Sequence, residues 1–146
     1  MRIMGLDLGK RRIGVAVSDE LGITAQALRT IERGRFQDDL EAIRALVQGY
    51  QVEEIVIGLP RHMTGRVGKE GEEIVAFGKE LEKYLSVPVV FWDERLSTVA
   101  AEKSLIAGAL TRSRRRKIID QVAASWILGG YLTWRRKRPD TTEEDF

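Results

Sequence analysis

Three acidic positions, far apart in the 146-residue sequence, carry the residue types for one kind of chemistry: Asp7, the adjacent pair Asp93 and Glu94, and Asp120. Asp7 is the only acid in the apolar run Ile3-Met-Gly-Leu-Asp-Leu-Gly9, with a glycine two residues away on each side. A glycine weakens a strand unless something must approach its backbone. A carboxylate on a rigid strand with open space beside it is a seat for a cation or a phosphate. Asp120 lies in a long apolar stretch, and at ~100° per residue it shares a helix face with Ala124, Ile127 and Tyr131. A carboxylate buried there must be paired, protonated or metal-bound. With no cysteine, thiolate zinc sites and disulfides are excluded, and the single histidine, His62, argues against a histidine-based metal site or a serine–histidine triad. Carboxylates alone suit Mg²⁺ or Mn²⁺, hard ions that prefer oxygen.

Each acid also has a plainer reading. Asp7 can be a solvated or backbone-bonded edge residue, Asp93 and Glu94 can favour the positive end of a helix capped at Ser97, and Asp120 can pair with Arg116 or Lys117. What tips the balance is the placement of positive charge. The net charge is only +2, yet Arg112, Arg114, Arg115, Arg116 and Lys117 crowd the start of the last helix. Cations there oppose the helix dipole, a local cost that polyanion binding offsets. Arg135 to Arg138 carry less information, because cations are favourable at a helix C-terminus anyway. Lys10, Arg11 and Arg12 after the first acid, Arg61 in a polar loop and Arg95 beside Glu94 are further candidates to contact phosphates. His62 is read as a loop residue. Two ions ~3.5 to 4 Å apart, held by such carboxylates, can activate water and stabilise the leaving oxygen of a phosphodiester.

These residues need a scaffold to bring them together. Arg2 to Asp19 reads as two apolar runs joined by a Gly-Lys-Arg-Arg turn, a β-hairpin in which Ile3, Gly5, Asp7 and Gly9 share one face and Met4, Leu6 and Leu8 the other. A third strand follows from Ile23 to Ile31. Phe36 to Val47 has helical spacing, closed by Gly49. Ile55 to Gly58 is wholly apolar, as a strand covered on both faces would be. Pro60, Gly65 and Gly68 mark a loop, Glu70 to Leu85 is a second amphipathic helix, Pro88 to Trp92 is a fifth strand, and a helix spans Arg114 to Trp134. The order predicts an α/β fold: a mixed five-stranded sheet, antiparallel over its first three strands and parallel thereafter, flanked by helices. Residues 1–138 form one domain and 139–146 an acidic, fraying tail. A hydrophobic fraction of 43% and a charged fraction of 32% fit a globular protein. No run spans a bilayer and no signal peptide opens the sequence, so the cytosol is the expected compartment and no membrane partner is expected.

Four segments together resemble the YqgF/RuvX family of the RNase H-like nuclease superfamily, described as Holliday junction resolvases and as nucleases of pre-16S ribosomal RNA. They are Gly5 to Asp19, Val56 to Gly65, Trp92 to Thr98 and Ile119 to Leu128, in the family's order and across nearly the whole chain. The resemblance implies an RNase H-like fold and a metal-dependent endo- or exonuclease acting on a ribosomal RNA precursor or branched DNA. By the same resemblance the metal-binding, catalytic acids are Asp7, Glu94 and Asp120, with Asp93 as the alternative to Glu94. Mg²⁺ or Mn²⁺, in two copies, is the implied cofactor. Nucleic acid is the implied partner, the ribosome a further one, and monomer and homodimer both stay open.

Two other classes share parts of the pattern. A non-catalytic module binding ribosomal RNA or a protein would use the same basic residues and leave the acids structural. The Asp-Leu-Gly turn also resembles the phosphate-binding hairpin of actin, sugar-kinase and heat-shock ATPases, which close two such domains around ATP, whereas this chain has the length of one.

Overall fold

The computed structural model describes residues 1–60, 67–93 and 112–137, the side chains of 112–119 excepted. Strands β1 (Arg2–Leu8) and β2 (Arg12–Ser18) form the expected antiparallel hairpin, in register Gly5 with Ala16 and Asp7 with Gly14. The Gly9 amide donates to the Arg12 carbonyl across the turn at 2.9 Å. Strand β3 (Ala25–Glu32) adds antiparallel to β2, while β4 (Val52–Leu59) and β5 (Val89–Asp93) add in parallel on the other side of β1. The spatial order is β3-β2-β1-β4-β5, so β1 is the central strand.

Helices α1 (Phe36–Tyr50) and α2 (Lys69–Leu85) cover one face, where Met4, Leu6, Leu8, Ile55 and Ile57 meet Leu40, Ile43, Ile74 and Leu81. Helix α3 (Arg112–Lys137) covers the other, packing Ala123, Ala124, Ile127, Leu128 and Leu132 against Ile3, Ala16, Val56 and Trp92. The period-two split of β1 therefore holds as predicted, and β1 and β4 read as apolar runs because both of their faces are covered.

Several boundaries differ from the expectation, most of them by a residue or a few. The third strand begins at Ala25 and not Ile23, because the Asp19 carboxylate accepts the amides of Ile23 at 2.7 Å and Thr24 at 3.0 Å and holds them in a turn. Helix α1 runs through Gly49 and closes at Gln51, whose φ of 54° places it in the left-handed region with its amide turned back to the Val47 and Gln48 carbonyls. The last helix is longer at both ends than 114–134. Among the described residues, no helix is long and apolar enough to cross a membrane. The 139–146 tail lies outside the described residues.

Candidate carboxylate site and nucleic-acid interface

The glycines of the hairpin explain how two of the acids meet. A Cβ on Gly5 would lie 2.7 Å from the Leu128 Cβ and 2.9 Å from the Ala124 carbonyl oxygen. On Gly14 it would overlap the Asp120 carbonyl, with the carbonyl carbon 2.5 Å away. Asp120, Ala124 and Leu128 are spaced i, i+4, i+8 and form one ridge of α3. That ridge lies along a groove opened by Gly5 and Gly14. The space beside Asp7, expected to admit a ligand, is thus filled at Gly5 by helix α3 and at Gly9 by the Arg12 carbonyl, 2.8 Å from where a Cβ would be. Close helix packing at Gly5 and Gly14 and the tight hairpin turn at Gly9, not ligand room, account for these glycines.

Cross-strand partners point to the same side of a sheet. Since Asp7 is opposite Gly14, and Gly14 faces the Asp120 backbone, Asp7 projects to the α3 side at the level of Asp120. Asp7 is buried and Asp120 half-buried. The two acids are 113 positions apart in the sequence and come together because glycine separates them.

Strand alternation also places Asp93. Trp92 packs on the α3 side, its ring 5.8 Å from Tyr131 and 5.7 Å from Trp134, and Val90 belongs to the same cluster. Val89 and Phe91 pack on the opposite side. Asp93, paired with Leu59 at the end of β5, follows Val89 and Phe91 to the side away from Asp7. Glu94 and Arg95 lie outside the described residues, as do Ser97, Arg61 and His62. Among the described residues, no three acids or histidines lie close enough to hold an ion together. The Asp7 and Asp120 pair, all oxygen donors, fits Mg²⁺ or Mn²⁺ as two members of a larger ligand set.

Positive charge gathers beside Asp120. A cavity of about 320 Å³ is lined by Gly9, Lys10, Arg11, Arg12 and Asp120. Lys10 and Arg11 are exposed, whereas Arg12 is half-buried and its Nε donates to Glu32 Oε1 at 2.8 Å. Arg12 thus ties β2 to β3 as well as lining the cavity. Arg112, Arg114, Arg115, Arg116 and Lys117 fall on the end of α3 that carries Asp120; their side chains are outside the described residues.

Sequence reasoning missed Arg33 and Asp39. Arg33 donates from Nη1 to the Gly9 carbonyl at 2.7 Å, approaches Asp39 Oδ2 to 3.8 Å, and lays its guanidinium over Phe77 at 5.5 Å. Asp39, 3% exposed, also accepts the Gly34 amide at 3.0 Å. These contacts fix the turn that carries Lys10. The available signal was an acid in the first turn of α1 just after an Arg-Gly pair, which has the form of a helix-start motif.

The RuvX family model, described as Holliday junction resolvase, matches residues 1–134. Proteins called "Putative pre-16S rRNA nuclease" from Clostridium botulinum (strain Eklund 17B) and Heliobacterium modesticaldum are 54% and 55% identical over 132 residues, covering 90% of this chain and 96% and 89% of theirs. One of the same description from Carboxydothermus hydrogenoformans is 50% identical over 137 residues, 94% of this chain and 99% of its own. Among solved structures, Thermus thermophilus RuvC bound to a Holliday junction superposes with a TM-score of 0.61 at 14% identity, over 95% of this chain and 99% of that one. Fowlpox virus resolvase with junction DNA gives 0.52 at 13% identity, over 94% and 100%. These likenesses show the fold to be RNase H-like.

Proposed function

Because this chain belongs to the RuvX family, we propose that it is a metal-dependent nuclease that hydrolyses phosphodiester bonds in a pre-16S ribosomal RNA, in the cytoplasm and in association with ribosome assembly. The observation that carries the reading is the meeting of Asp7 and Asp120 around Gly14, beside a cavity lined by Lys10 and Arg11. The curated relatives near half identity bear the ribosomal RNA name, which favours RNA as substrate. The family description favours four-way DNA as the second reading.

Asp7, Asp120 and Glu94 are the proposed ligands. Asp93 is set aside in favour of Glu94 because it follows Val89 and Phe91 to the wrong side of β5. Two Mg²⁺ or Mn²⁺ ions would supply the charge that lowers the pKa of the attacking water and stabilises the leaving oxygen. The chain contributes position. Asp7 is fixed on the central strand, and Asp120 is fixed by the contact of its own backbone with Gly14. Lys10 and Arg11, with the basic start of α3, hold the phosphates on either side of the cut, and those contacts bring a steep salt dependence.

The test is incubation of the protein with a pre-16S ribosomal RNA fragment and, separately, a four-way DNA junction, each with Mg²⁺, Mn²⁺ or chelator, alongside Asp7→Asn. Cleavage that needs the ion and falls roughly a hundredfold or more in the variant is the expected result, by analogy with removing a group that stabilises developing charge. Cutting of the junction alone would move the assignment to branched DNA. Binding without cleavage under every condition would leave a non-catalytic module.

A further inference from the structure

Among the described residues there is a second cavity, larger than the one at Asp120. It lies across the Gly9–Lys10 turn, on the α1 and α2 side of the sheet, and has a volume of about 720 Å³, within the usual size of small-molecule sites. Its floor is Leu8, Ile74 and Phe77, all in the core of that face. Its rim carries Lys10, Lys69, Glu70 and Glu73, and Arg33 lines it with its guanidinium plane over Phe77. Lys10 and Lys69 are exposed, and among the described residues neither forms an ion pair, although two glutamates line the same space.

We propose that this cavity binds one unpaired nucleotide of the substrate strand, next to the segment held at Asp7 and Asp120; the choice of polymer rests on the nuclease reading above. The lining suits a nucleotide better than a bare polyanion. Lys10 and Lys69 supply charge for one phosphate. Arg33 offers a planar cation on which a base can stack, and single-stranded bases are commonly recognised by stacking on guanidinium or aromatic planes. Glu70 and Glu73 would repel an isolated phosphate, yet their oxygens accept the N–H groups on a base edge. An apolar floor beneath such a rim is what a base requires and a phosphate does not. Continuity is the remaining observation: Gly9 and Lys10 line both cavities, so a strand leaving Asp120 crosses one turn to reach the second. Arg33 holds that turn through the Gly9 carbonyl, coupling the two cavities mechanically.

The inference is tested without catalysis, in the Asp7→Asn protein with chelator, using single-stranded RNA that carries 2-aminopurine at successive positions. The expected result is a change in emission at one position on binding. Lys69→Ala with Glu73→Ala should abolish that change, weaken binding roughly tenfold as loss of a stacked and phosphate-held nucleotide does, and leave the thermal melt unchanged. A uniform response along the strand, or a position-specific signal indifferent to the double variant, overturns the inference. So does saturable binding of a free nucleoside triphosphate at this cavity with no strand signal, which would give the site to a mobile nucleotide. Wild-type cleavage is scored separately. Cleavage without the local signal sinks this inference and leaves the nuclease, and the signal without cleavage does the reverse.

Discussion

The two faces of the sheet are built on opposite rules. On the α1 and α2 side, large aliphatic residues such as Met4, Leu6, Ile55 and Ile57 keep the helices at side-chain distance, and a cavity of about 720 Å³ opens between the β1–β2 turn and the first turns of α2. On the α3 side, Gly5 and Gly14 let the helix backbone come down onto the strands, and alanines fill what is left. Side-chain packing can relax by rotamer changes, but backbone against backbone cannot. The face that carries Asp7 and Asp120 is the one built by backbone contact, and the face that opens the larger of these two cavities is the one built by side chains.

The largest test of that contrast is Gly14→Ala. The new Cβ would overlap the Asp120 carbonyl, so α3 must move, and the expected loss is about 3 kcal/mol, the upper end of ordinary overpacking costs. Cleavage should fall further than stability explains, because Asp120 moves with the helix. On the other face, Ile57→Val removes one methylene from a fully buried site and should cost about 1 kcal/mol with cleavage retained. Chemical denaturation and cleavage rates measured on both variants decide the matter. Equal effects of the two on cleavage would show that the faces are not specialised.

Gly49→Ala sharpens the same point with a smaller effect of opposite sign. Gly49 lies inside α1 with nothing within 4 Å of where a Cβ would be. Alanine there should stabilise the protein by about 0.5 to 1 kcal/mol, the ordinary helix preference, and leave cleavage unchanged. A destabilised Gly49→Ala in a denaturant melt would mean that the glycines of this chain cannot be sorted by contact distance.

This sorting is also where sequence reading stopped. The alternation along β1 and the covered run in β4 were legible, because each rests on periodicity. Gly5 was read as room for a ligand, yet what fills the room is Ala124 and Leu128, over a hundred residues away, and no local pattern reports such a partner. Gly49 was read as a helix stop, yet the last turn and its Gln51 cap are decided by how the chain enters β4 at Val52. Asp93 and Glu94 were indistinguishable as neighbours, and the side of β5 that Asp93 takes follows only from the packing of Trp92 against Tyr131 and Trp134; Glu94 lies outside the described residues. Arg33 and Asp39 went unseen because their importance lies in what they hold, the Gly9 carbonyl and the Gly34 amide.

The smallest effect concerns the opposite end of α3. Asp19 accepts the Thr24 and Ile23 amides in the β2–β3 turn, and these bonds hold its carboxyl below its ordinary value of 3.8. Arg136 donates from Nη1 to the Ile23 carbonyl at 3.0 Å, so the turn also anchors the C-terminal end of the helix. A group whose pKa is lowered by folding adds stability that is fully present above its unfolded value and is lost as pH falls through the folded one. Asp19→Ala should therefore melt below the wild type at neutral pH, and the gap should close as pH falls below 3.8. In Asp19→Ala at neutral pH, amide exchange at Ile23 and Thr24 should speed up relative to the wild type, while exchange at Ala124 should not, since Ala124 packs against Gly5 and not against the turn. A melting gap that stays constant with pH would sink the assignment of the turn to the carboxylate. Exchange at Ala124 that rises together with Ile23 would show that α3 opens as one piece, and that its backbone contact with the glycines is less independent of its far end than the packing implies.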